Sequence, residues 1–245
     1  MGAALRLGSG APLAAIGGNY YLRARLKLSR LKLLPQHSMS IRTLLQIRVI
    51  PALCAALMLV LSGRTYAGAQ AEEKLSASVQ TTLASAIADR SAHRLIGEAK
   101  EVQAWLAEMS SRLARRMPDS EQRNEFLVTV QYEAHRAGLD PQLVLAVINH
   151  ESAFRKYAIS SASARGFMQV MPFWVRLIGT PDHNLFHLRT NLRYGCVILR
   201  HYLDIEKGDV VRALARYNGS LGRFEYPNAV LGMQESRWKW SPVKP

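Results

Sequence analysis

From Asp119 to Asn218 the chain is a succession of helix signals with almost no strand signal between them, which restricts it to a mainly α-helical fold. The segment EQRNEFLVTVQYEAHRAG opens behind Ser120 and stops at Gly138, a residue suited to the left-handed end of a helix. Asp140-Pro141 is an N-cap followed by Pro at the first helical position, where the missing N–H costs nothing. The helix it starts, PQLVLAVINHESAF, turns Leu143, Val144, Val147 and Ile148 inward. Residues 155–165 are rich in Ser and Ala and read as a loop. Gly166 is expected to open a short apolar helix, FMQVMPFWVRLIG. Leu188 to Ile205 reads as another helix, and Asp209 caps VVRALARYN. The stretch 225–245, with Trp238, Trp240 and three prolines, reads as tail. One domain over 119–235 is expected, with 236–245 trailing it and no internal repeat.

Ahead of this domain, residues 70–118 form an amphipathic helical segment. Leu83, Ile87, Arg94, Leu95, Val102, Leu106, Met109 and Leu113 recur at mostly helical spacings, which predicts one or two helices ending near Met117-Pro118. Docking on the domain and a loose linker are both compatible with that pattern.

Charge looks at first like the mark of a nucleic-acid protein. There are 32 Lys and Arg against 18 Asp and Glu, a formal +14. Nine of those cations, however, fall in residues 1–71, which contain no acid, so the remainder carries only +5. Its basic residues are interleaved with acids and form no single stripe, which argues against nucleic acid as a partner. A mildly basic protein also gains encounter rate with any anionic polymer.

The basic segment has the layout of an export signal. Arg42 and Arg48 precede the 13-residue apolar run Val49 to Leu61, too short to span a bilayer comfortably, and Ala67-Gly68-Ala69 follows as a cleavage signature. Residues 39–69 are therefore expected to be a signal peptide starting at Met39. Residues 1–38 are then an upstream over-prediction or an extended n-region. The expected location is the periplasm, with membrane association through an uncleaved leader left open. Cys54 would leave with the leader, so Cys196 would be the one remaining thiol, read as a buried small hydrophobe.

Glu151 is the residue that carries chemistry. It ends the apolar helix, and no other acid occurs before Asp182. Most glutamates at helix ends are simply solvated. A carboxyl half buried against Val147 and Ile148 instead has its ionised form desolvated, which raises its pKa and fits it to act as a general acid near neutral pH.

The company Glu151 keeps sets it apart. Glu151-Ser152-Ala153-Phe154, then Ala158, Ser160, Ala164, Gly166, Phe167, Met168, Gln169, Val170, Met171 and Pro172, resembles the catalytic signature of the SLT-type lytic transglycosylases, which are lysozyme-like, peptidoglycan-cleaving enzymes. A second family block is similar to Asn191, Gly195 and Tyr202-Leu203, followed by Ala213-Leu214-Ala215-Arg216-Tyr217-Asn218-Gly219. The resemblance covers roughly residues 120–235. Lys156 stands where the family usually has Pro, Ser163 where it has Gly, Phe167 where it has Leu, and Gly219-Ser220 where it has Ala-Gly. A lost glycine at 163 removes a residue suited to positive φ.

The resemblance implies a lysozyme-like transglycosylase domain acting on peptidoglycan glycan strands, with no cofactor and no metal. Glu151 would be the single acid/base. It would protonate the oxygen between N-acetylmuramic acid and N-acetylglucosamine, then take the proton of the muramyl C6 hydroxyl, giving a 1,6-anhydro product. Ser152 would hydrogen-bond the carboxylate or the substrate acetamido group. Met168 and Gln169 would line the sugar cleft, and Tyr217, beside Asn218, would reach toward Glu151. Tyr226 is a candidate rim aromatic. Cell-envelope machinery is left open as a further partner.

Two other readings compete: a goose-type lysozyme-like hydrolase, and a peptidoglycan-binding module without activity. Other motifs fail. His150-Glu151 begins a zinc-protease pattern, but Phe154 occupies the second histidine position. His183 and His187 are spaced as a ligand pair with no third ligand near. The chain has no calcium-loop pattern and no G-x-S-x-G elbow.

Overall fold

The computed structural model describes residues 70–88 and 95–241; the leader features, Cys54 and Arg94 lie outside them. Within the described residues the chain is helical, with two isolated single-residue bridges, Ile159 to Arg165 and Arg165 to Val170, and no strand. The helices are α1 Ala77–Ala88, α2 Ala99–Leu113, α3 Ser120–Arg136, α4 Pro141–Ser152, α5 Phe173–Ile178, α6 Leu188–Ile205, α7 Val210–Tyr217 and α8 Glu225–Met233, followed by a π turn, Gln234–Trp238. None is long and apolar enough to cross a membrane.

Both expected caps, Asp140 and Asp209, are made, and Asp119, one residue before the expected opening at Ser120, makes a third. Asp119 accepts from the Gln122 amide, Asp140 from that of Gln142 and Asp209 from that of Arg212, at 2.8, 2.9 and 3.0 Å. Each satisfies one of the amides that a helix start leaves without a partner. The α4 sequence is apolar on nearly every face, so the helix has to be enclosed. Val144, Leu145, Ala146, Val147 and Ile148 are fully buried, with α3, α8 and the π turn packed around them. On its other flank α3 packs against α6, which also meets α1 and α7.

The segment before the domain docks on it. Trp105, Met109 and Leu113 join the core from α2, and Leu83 and Ile87 do so from α1. Leu95, expected on the apolar face, is exposed.

Two expectations are corrected. No helix starts at Gly166: residues 166–171 are turns and a bridge, and the helix begins at Phe173. The reason is tertiary, because Asn191 of α6 takes the Met168 amide at 2.8 Å and gives its own N–H groups to the carbonyls of Arg165 and Leu185, each at 2.8 Å. The stretch 225–245 is not all tail. It forms α8 and the π turn, and Trp238 is buried with its ring centroid 5.3 Å from that of Phe154.

A buried ion network joins α3 to α6. Glu133, about 1% exposed, receives Arg193 at 2.9 Å, Arg189 at 3.4 Å and Arg136 at 3.5 Å. Nothing in the helical periodicity singled it out.

Candidate active site

α4 stops because Ala153 and Phe154 both adopt left-handed backbone, at φ 49° and 66°. Such angles cost a non-glycine residue roughly 1 kcal/mol each. Phe154 is held there by Phe126 and Trp238, with ring centroids 5.9 and 5.3 Å away, and by the Arg116 guanidinium over its ring. The forced stop leaves Glu151 half-buried in the last turn of an apolar helix.

Facing it is Tyr226 of α8, whose hydroxyl donates to Glu151 Oε1 at 2.6 Å. The phenol is buried, and its ring lies edge-on to the His150 imidazole with centroids 4.8 Å apart. Desolvation raises the Glu151 pKa to about 7, and the Tyr226 hydrogen bond opposes it. Burial, followed by the Glu151 charge, pushes the Tyr226 phenol well above its ordinary value. Tyr226 therefore keeps its proton and acts as a fixed donor, while Glu151 is poised to exchange its own near neutrality.

Residues 155–171 close over this end of α4 as a bridged loop. Gln169 sits at φ 48° and its amide nitrogen donates to the carbonyls of Gly166 at 2.9 Å and Ala158 at 3.1 Å. Gly166 needs to be glycine twice over. Its φ is +77°, and a Cβ there would lie 2.6 Å from the Leu185 carbonyl oxygen and 2.3 Å from Asn191 Nδ2. Ser163, where a glycine was missed, indeed has φ 68°. Ser163→Gly relieves that strain but adds freedom to the unfolded chain. The expected net result is a gain of about 0.5 kcal/mol in thermal unfolding, and a loss would show that the Ser163 side chain itself holds the loop.

The other residues singled out from sequence fall elsewhere. The Ser152 hydroxyl is buried and donates back to the Ile148 carbonyl at 3.1 Å, not to the Glu151 carboxyl. Met168 is fully buried, and its thioether lies against Gly195, where a Cβ would be 2.3 Å from Sδ. It packs α6 and presents no face to a sugar. Gln169 is buried too, with its amide N–H groups committed to the loop. Tyr217 is 1% exposed and its hydroxyl donates to the Met168 carbonyl at 2.7 Å, so the tyrosine on the Glu151 carboxyl is Tyr226 instead. Asn218 caps α7, half-buried. Tyr226 had a legible signal: with Val230 four residues on, it marks one face of a short helix.

Elsewhere, His183 Nδ1 pairs with the Tyr194 hydroxyl at 2.8 Å. Among the described residues no three His, Cys, Asp or Glu are placed to hold a metal ion. Cys196 is buried, and burial raises its thiol pKa.

Residues 129–239 match the family model of the Transglycosylase SLT domain. Membrane-bound lytic murein transglycosylase C of Actinobacillus pleuropneumoniae serotype 5b (strain L20) is 46% identical over 48 residues, which is 20% of this chain and 13% of that protein. The transglycosylase of Enterobacteria phage PRD1 is 34% identical over 91 residues, 37% of this chain and 33% of the relative. The X-ray structure of an inactive mutant of the lytic transglycosylase Slt from Pseudomonas aeruginosa aligns with a TM-score of 0.38 at 27% identity, over 51% of this chain and 23% of that one. The chain thus spans a third or less of the length of these relatives.

Proposed function

Because residues 129–239 match the Transglycosylase SLT domain, we propose that the chain is a peptidoglycan lytic transglycosylase in which Glu151 is the single acid/base. The observation that carries this reading is the Tyr226–Glu151 pair: a carboxyl with pKa about 7, anchored through one oxygen. A fraction of the enzyme near neutral pH holds Glu151 protonated, as a general acid requires. With Oε1 accepting from Tyr226, Oε2 is the oxygen available to the glycosidic bond.

The steps follow. Glu151 gives its proton to the oxygen leaving with N-acetylglucosamine, and the C1–O bond of the muramyl residue breaks. The muramyl 2-acetamido oxygen stabilises C1, so no second carboxylate is needed. Glu151, now ionised, takes the proton of the muramyl C6 hydroxyl, and O6 closes on C1. The sugar ends as a 1,6-anhydro ring, the glutamate is reprotonated, and no water is consumed. A goose-type hydrolase would instead leave a reducing muramyl end, heavier by one water. Export through the 39–69 leader would put the chain with its polymer in the periplasm.

Clearing of purified sacculi by the chain tests the activity, and Tyr226→Phe tests the pair. Tyr226 lowers the Glu151 pKa, so its loss raises that pKa above about 7. The acid form then survives to higher pH, and the basic limb of kcat/KM moves upward. The rate at the optimum is expected to fall roughly tenfold or more as the carboxyl loses its orientation. An unchanged basic limb would remove Glu151 as the titrating acid.

A further inference from the structure

A basic groove lies on the side of α4 turned away from Glu151. It is formed by the last turn of α2 and the turn after it, Asn149 of α4 and the π turn with the residue after it, and encloses about 610 Å³. At 100° per residue, Asn149 points about 200° around the helix from Glu151. Arg115, Arg116 and Arg237 are exposed on its walls, and none pairs with an acid among the described residues. The acid lining it, Glu235, is taken by Lys239. Arg112 braces the rim by donating to the carbonyls of Arg237 and Lys239 at 3.0 and 2.9 Å.

Beneath these charges are two orphans. Trp238 Nε1, on a ring 3% exposed, and Asn149 Oδ1, on a side chain 6% exposed, are buried polar atoms without a hydrogen-bond partner. Both residues line the groove. Leaving such groups unmatched is costly, so a ligand that satisfies them gains by binding. One is a donor and the other an acceptor. An acceptor oxygen repels a bare phosphate or sulfate, whereas an amide offers the N–H and the C=O that match both orphans. Free guanidinium groups above them match carboxylates.

We propose that this groove binds a short, carboxylate-bearing peptide, namely the peptide stem of peptidoglycan. The choice of a wall peptide rests on the reading of the chain as a peptidoglycan enzyme. An extended stem of five residues reaches roughly 17 Å, the length of the path halfway around a helix about 10 Å across. A strand whose sugars meet Glu151 thereby gains a second hold through its peptide, and strands carrying stems are favoured over stripped ones.

Calorimetric titration of the full chain with acetylated alanine–isoglutamate–diaminopimelate tests this. The same peptide with its carboxyls amidated, inorganic phosphate and a short oligonucleotide are the controls. Saturable binding of the acidic peptide is expected, weakened at least tenfold in the double variant Arg115→Gln/Arg237→Gln and several-fold in Trp238→Phe, which keeps an aromatic ring there and loses the N–H. The double variant should melt like the parent, whereas Trp238→Phe leaves a gap beside Phe154 and should melt lower while staying folded at the titration temperature. In turnover, the double variant should raise KM for stem-bearing glycan and leave stripped glycan unchanged. No peptide binding, equal binding of the amidated peptide, or preference for phosphate or the oligonucleotide would overturn the assignment. Binding is read without turnover, so the two readings fail separately. A chain that cleaves glycan but ignores the peptide loses only the groove. A chain that binds the peptide and cleaves nothing keeps the groove and loses the activity.

Discussion

Replacing Glu151 by Gln is expected to lower glycan cleavage on the order of 10³-fold while leaving a folded protein. The amide can accept from Tyr226 as the carboxyl does, and it fills the same volume, but it has no proton to give the leaving oxygen. Stability separates loss of chemistry from loss of fold. In the folded chain the Glu151 pKa is raised from 4.5 to about 7, so the folded state favours the neutral form. Below pH 4.5 the residue is neutral folded and unfolded and contributes no penalty. As pH rises from there to about 7 the unfolded chain ionises first, and the penalty grows; above about 7 it is constant. Glu151→Gln removes it. The variant should therefore melt above the parent at pH 8 and level with it near pH 4, while being inactive at both. An inactive variant that melts lower at pH 8 would mean that the carboxylate was holding the fold, and its inactivity would then say little about catalysis.

The second large effect belongs to stability alone. Glu133→Ala is expected to cost about 3–5 kcal/mol, because it leaves the Arg193 charge, 7% exposed, inside the protein without its carboxylate. Arg189 and Arg136 are less enclosed and can turn toward water. Arg193 also donates to the Ile87 carbonyl of α1 at 3.4 Å, a bond that cannot replace an ion pair. In urea the midpoint should fall with an unchanged slope. The loss should also loosen α1, since the same arginine reaches across to it. A loss under about 1 kcal/mol would show that the network is not holding α3 to α6.

Local rules were enough for the helices that cap themselves. Ser120, Asp140-Pro141 and Asp209 marked α3, α4 and α7, and the bounds of α6 came from its periodicity. Local rules failed where a distant residue decides. Residues 166–171 have an apolar helical look, yet Asn191, more than twenty positions on, takes the Met168 amide. Prolines and tryptophans after Asn218 looked like a tail, and so hid α8, leaving Tyr226 read as a rim aromatic and not as the partner of Glu151. The same limit applies to the site. A family-like run of residues marks chemistry and packing together. On the proposed reading Glu151 belongs to the first, and the desolvated carboxyl at a helix end already pointed to it. Met168, Gln169 and Tyr217 instead hold the loop and α6 in place, because their polar groups bond backbone and their apolar atoms are enclosed. Spacing cannot distinguish a tyrosine that bonds a carbonyl from one that bonds a carboxyl.

Mass spectrometry of the fragments released from purified sacculi tests the central claim most directly. The parent chain should release muropeptides ending in 1,6-anhydro-N-acetylmuramic acid, lighter by one water than hydrolysed ones, and Glu151→Gln should release almost none. Reducing muramyl ends from the parent, or equal release by the Gln variant, would contradict it.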